Sequence, residues 1–143
     1  MEKGEKIQRG FPFQTRLTEH EVEIMDAKRK AIPKSIRMTV YQKCNGHCAY
    51  CGCSLEYKDM QVDHVIPLNG WSEQGTDTVD NMLPACRSCN HYKSRSTLEG
   101  FRKMVSAMPD TLMRDSTTYK NAVRFGLVIP NKKPVVFYFE ENN

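Results

Sequence analysis

The clearest periodicity lies over residues 98–108. Leu98, Phe101, Met104, Val105 and Met108 recur at helical spacing and form one apolar stripe, which predicts a helix packed on a core. Ser96 and Glu99 offer a capping box at its start, and Pro109 is expected to end it. A second helix is expected over about 115–125, stopped by Gly126. Upstream, "TEHEVEIMDAKRK" is helical in character, with Thr18 and Glu21 in capping-box spacing. "KSIRMTVYQKC" predicts a short helix between Pro33 and Gly46. The period then changes. "QVDHVIP" alternates and is rich in Val and Ile, so it predicts a strand stopped by Pro67. The tail "PVVFYFEE" predicts a further strand. Between them, "LNGWSEQGTDTVDN" is a polar loop, long enough to carry function.

At 143 residues this is the size of one domain, with neither an internal repeat nor a convincing linker. Only 39% of residues are hydrophobic, so the core is modest and a structural metal would help it. The net charge of +4 permits a polyanionic partner without requiring one. No apolar stretch is long enough to cross a bilayer. The N-terminal "MEKGEKIQRGFPFQ" has charges of both signs and no apolar block, unlike a secretory signal. The expectation is an intracellular, cytoplasmic protein of prokaryotic or phage origin, with no membrane partner. In a reducing compartment, clustered cysteines point to metal or catalysis before disulfides.

Six cysteines are present, and four stand in two C-x-x-C pairs: Cys48 with Cys51, and Cys86 with Cys89. Two intervening residues let both sulfurs turn inward on a tight knuckle, and Gly52 eases the first turn. Two knuckles supply four thiolates, which suit tetrahedral Zn²⁺. A redox role for one pair is the competing reading; it is disfavoured because no strand leads directly into the motif and there are two pairs. Cys44 and Cys53 could compete for the metal and are expected to be spare thiols. The 34 residues between Cys51 and Cys86 make room for an insertion. That insertion contains Asp63 and His64 on the expected strand and Asn81 after the loop, and Asn90 follows the last knuckle. Asp and Asn offer hard oxygen ligands to Mg²⁺ or a similar ion, and a neutral imidazole can take a proton from water. Such a set suits metal-assisted phosphodiester hydrolysis.

The run "DHVIPLNGW…DNMLPACRSCNHYKS" resembles the HNH endonuclease family over about residues 44–96. The resemblance implies an α+β fold: a ββα-metal core stapled by a Cys₄ zinc site, with flanking helices and the C-terminal strand. It implies a metal-dependent DNA endonuclease in which His64 is the general base. Asp63 and Asn90 would then hold the catalytic divalent ion, Mg²⁺ or another. Asn81 would position the loop and the base. The motif reads H-N-N here, with Asn at the third place, where the family admits His or Asn. Lys93 matches a basic residue common in the family after the last cysteine. Cys48, Cys51, Cys86 and Cys89 would bind the structural zinc.

Residues 86–103 carry five basic side chains against Glu99 alone. Beside a nuclease site they predict a phosphate-contacting surface, with Arg87, Lys93 and Arg95 as its candidates. Two rivals stand: a non-catalytic zinc-stabilised module that only binds nucleic acid, and a zinc-stabilised interaction protein. Neither needs the Asp-His pair. Cutting both strands with one small site would favour a homodimer or a phage or restriction partner protein.

Overall fold

The computed structural model describes residues 31–70 and 72–142, so the helical reading around Thr18 and Glu21 lies outside the described residues. All that follows concerns the unit Ile32–Asn143. Helix α1 (Lys34–Gln42) begins after an extended Pro33, whose carbonyl accepts the Arg37 N–H at 3.0 Å. Its inward residue Val40 is fully buried against Leu55, Met60 and Met82. The Arg37 guanidinium ties the helix to the Met60 carbonyl at 2.9 Å.

The first knuckle follows. The Cys48 N–H bonds the Cys53 carbonyl at 2.9 Å, and the Gly52 N–H returns to the Cys48 carbonyl at 2.9 Å. Gly52 has φ +72°, and a Cβ there would stand 2.7 Å from the Tyr138 ring, so a larger residue is excluded twice over. A single 3-10 turn (Tyr57–Asp59) leads to β1 (Gln61–His64). A second one (Val79–Asn81) leads to β2 (Met82–Ala85). The strands pair antiparallel, with Asp63 opposite Leu83 and His64 opposite Met82. β2 is buried along its whole length, and its Pro84 carbonyl accepts the Ala49 N–H at 2.8 Å. That bond joins the first knuckle to the ribbon.

The second knuckle opens α2 (Arg87–Lys93), with Cys86 as its N-cap. Strand, strand and helix thus form a ββα unit, with both C-x-x-C pairs beside it. Helices α3 (Leu98–Ser106), α4 (Met108–Asp115), α5 (Thr117–Arg124) and the one-turn α6 (Tyr138–Glu141) complete the unit.

Three elements differ from expectation. α3 is capped by Thr97, whose hydroxyl accepts the Gly100 N–H at 3.1 Å; Ser96 turns to the Met104 sulfur instead. α3 does end before Pro109, at Ser106, but Met108 and Pro109 then open α4, where the missing N–H of a first-turn proline costs nothing. The C-terminal strand is absent. Residues 134–137 form no strand; the first two residues of α6 bond the first knuckle instead, Tyr138 N–H to the Tyr50 carbonyl at 3.1 Å and Phe139 N–H to the Ala49 carbonyl at 2.9 Å. Glu140 then accepts the Phe137 N–H at 2.8 Å and begins α6, so local capping wins over strand pairing.

The core around the knuckles is aromatic. Tyr50 meets Phe101 and Phe137 edge-on, each at 5.3 Å, and Phe101 stacks on Phe137 at 5.4 Å. Of the α3 stripe, Phe101 is buried and Leu98 and Val105 pack against this cluster, while Met104 is exposed.

Candidate functional site

Strand alternation sends Asp63 and His64 to different surroundings. Asp63 is 5% exposed, within the unit. One of its carboxylate oxygens, Oδ2, accepts a short hydrogen bond from the Tyr50 hydroxyl. The same oxygen pairs with the Lys93 ammonium at 3.0 Å. Lys93 is fully buried and also donates to the His64 carbonyl at 2.8 Å. Tyr50 lies inside the first C-x-x-C, and Lys93 lies one helical turn past the second. The two knuckles therefore clasp one carboxylate from both sides. Burial pushes the Asp63 carboxyl above its ordinary range, and Lys93 and the Tyr50 hydroxyl pull against that shift. Burial, with Asp63 alongside, raises Tyr50, which keeps it a donor. Tyr50→Phe is expected to leave the aromatic packing intact and to cost about 1.5–3 kcal/mol, the value of a hydrogen bond to a charged group, in urea unfolding.

The burial of Lys93 corrects one expectation. It cannot serve on a nucleic-acid surface, because no part of it reaches solvent and its ammonium is spent on Asp63 and His64. Arg102 is likewise committed, bonding the Val135 carbonyl at 2.7 Å and lying over the Phe137 ring at 4.5 Å. Arg87 and Arg95 are exposed.

His64 sits where β1 ends, its side chain 14% exposed. Its Nε2 lies 2.8 Å from Asp77 Oδ1, a partner that sequence reasoning missed. Asn81 anchors the loop between them. Its side-chain oxygen accepts the Ile66 N–H at 2.9 Å, and its amide donates to the Ile66 and Thr76 carbonyls at 2.8 and 2.9 Å. Its carbonyl also accepts the Val65 N–H at 2.9 Å. Gly75 fits under this knot because a Cβ there would stand 2.0 Å from the Ile66 carbonyl oxygen. Asn90 is half-buried on α2, three residues before Lys93 and on the same helical face. Asp63, His64 and Lys93 are thus linked by direct contacts or one strand step, Asn81 reaches them through Val65 and Ile66, and Asn90 lies three residues before Lys93 on α2.

The thiols converge as well. The sulfurs of Cys48, Cys51, Cys53 and Cys86 lie within 4.8 Å of one another. Cys89 falls outside that group; its thiol hydrogen-bonds that of Cys48, and its N–H donates to the Cys86 sulfur at 3.4 Å. Cys53, expected to be spare, is therefore one of the four converging sulfurs, while Cys44 is buried elsewhere in the core. The hydrogen bond from Cys89 lowers Cys48 to about 4, whereas burial pushes Cys53 up to about 12 and Cys51 upward. Thiolates crowded this closely repel one another. A soft, tetrahedral cation would relieve that repulsion, so the cluster is compatible with a zinc site.

Residues 48–96, from the first knuckle to just past α2, match the family model described as HNH endonuclease. Over this segment the chain is similar to the HNH endonuclease family. Over 65 residues the chain is 31% identical to the CRISPR-associated endonuclease Cas9 of Corynebacterium diphtheriae (strain ATCC 700971 / NCTC 13129 / Biotype gravis). That match takes in 46% of this chain and 6% of the relative, so the chain spans a small part of that protein's length. The crystal structure of the Type II-C Cas9 enzyme from Actinomyces naeslundii is similar to it with a TM-score of 0.45 and 19% identity, over 60% of this chain and 10% of that one. The HNH segment coincides with the ββα unit and both knuckles. Among the described residues, no helix is long and apolar enough to cross a membrane.

Proposed function

We propose that this chain is a divalent-metal-dependent DNA endonuclease that hydrolyses phosphodiester bonds. The observation that carries the reading is the juxtaposition at the end of β1: a clasped, buried carboxylate directly followed by an imidazole whose Nε2 is already engaged. His64 takes a proton from water at Nδ1, the nitrogen left over once Nε2 is occupied. Asn81 keeps the loop around it in place. Asp63, whose Oδ2 is held by Tyr50 and Lys93, offers Oδ1, and Asn90 offers its side-chain oxygen. Two hard oxygen donors suit Mg²⁺ or Mn²⁺, with water and phosphate oxygens filling the remaining positions. When bound, such an ion supplies charge against the developing phosphorane and the leaving oxygen. Arg87 and Arg95 contact the phosphate backbone, which makes binding salt-dependent.

Zinc is assigned to Cys48, Cys51, Cys86 and Cys89, with Cys53 outside the ligand set. The paired knuckle geometry, with the Cys89 N–H on the Cys86 sulfur, favours Cys89 as the fourth ligand.

Supercoiled plasmid tests the enzyme reading. With Mg²⁺ or Mn²⁺, zinc-loaded protein is expected to nick or linearise it, and His64→Ala to slow that about 10²–10⁴-fold, the range for a lost general base. A band shift without cutting would instead establish a binding module.

A further inference from the structure

We infer that Asp77 is the positioning residue for the His64 base. This rests on the nuclease reading above. Asp77 Oδ1 lies 2.8 Å from His64 Nε2, the ring nitrogen that water does not need. A carboxylate accepts only, so the pair fixes the proton on Nε2 and leaves Nδ1 with its lone pair free.

The loop is built to deliver that carboxylate. Asn81 bonds the Thr76 carbonyl, the residue just before Asp77. Thr76 and Thr78, on either side of Asp77, join hydroxyls at 3.0 Å. The Gly75 N–H reaches back to the Pro67 carbonyl at 2.9 Å, which closes the loop base. Asn81 grips Ile66 by both ends of its amide, two residues beyond His64. One side chain therefore fixes both the stretch after the base and the stretch before its partner. The positioning expected of Asn81 is thus exerted through Asp77.

A purely stabilising ion pair is the competing explanation, and the exposure argues against it. The Asp77 side chain is 66% exposed, and pairs that wet contribute little to folding. Its value lies in holding the ring in one tautomer and one orientation. The same exposure means that variants at 77 keep the fold.

The experiment uses the full chain loaded with zinc. Proton NMR in the wild type is expected to show a downfield, slowly exchanging Nε2–H of His64, assigned by its absence in His64→Gln. Asp77→Ala removes that signal and lowers kcat about 10–100-fold, as for other lost orienting partners, with KM for plasmid unchanged. Asp77→Glu, with a flexible carboxylate on an exposed loop, restores part of both. Asp77→Asn does not, because its amide can donate to Nε2 and select the wrong tautomer. Persistence of the signal in Asp77→Ala overturns the inference whatever the activity. Loss of the signal with undiminished kcat overturns it too. A wild type that shows the signal and cuts nothing would sink the nuclease reading, and with it any catalytic part for Asp77, while the pairing itself would stand.

Discussion

Lys93→Met is expected to destabilise the protein by about 3–5 kcal/mol, more than any other single change outside the thiol cluster. Lys93 is wholly buried and its partner Asp63 nearly so, with a 3.0 Å pair between them. Methionine fills similar space but leaves the carboxylate buried without its counter-charge, and leaves the His64 carbonyl without its donor. With a typical domain stable by about 5–15 kcal/mol, such a loss consumes a large part of the total. Urea unfolding at equal zinc content measures it. Lys93→Met with Asp63→Leu should recover much of the deficit, because an apolar pair needs no compensation. A single variant as stable as the wild type would show that the pair is not closed in solution.

If the cluster holds zinc as proposed, removing the metal is expected to do still more. Cys48 belongs to the main aromatic cluster, and Cys86 and Cys89 pack against it, so the thiols are part of the core. Structural zinc in small fingers contributes about 10–16 kcal/mol of apparent binding energy, which exceeds what a unit with so slight an apolar core can replace. Cys86→Ser should therefore lose its metal and its near-ultraviolet circular dichroism together, and Cys53→Ser should keep both. Unchanged zinc stoichiometry and an intact fold in Cys86→Ser would refute the ligand set.

Much of this was legible in the sequence, and the exceptions share a cause. The C-x-x-C spacings and the Asp-His step are local signals, and the ββα core followed from the resemblance they carry. β2 leaves almost no mark of its own, since "MLPA" is four residues with a proline and is buried on every side. Lys93 looked like one more cation in a basic run. Its depth follows from lying one turn past Cys89, where α2 leans on β1. Asp77 is one polar residue among many in its loop, and only the Asn81 knot, which spans fifteen residues to Ile66, brings it to His64. Tyr50 gave no hint, because its partner lies thirteen residues away on β1. The tail read as a strand because Val135–Phe139 is an unbroken run of β-branched and aromatic residues; Glu140 and Arg102 turn it elsewhere.

The clasp on Asp63 has a consequence for how the protein ages. Tyr50 and Lys93 are carried by the same two turns that carry the sulfurs. An oxidant that attacks those thiols would also slacken the grip on the carboxylate. If the chain cuts DNA as proposed, loss of the metal and loss of cutting would then be a single event.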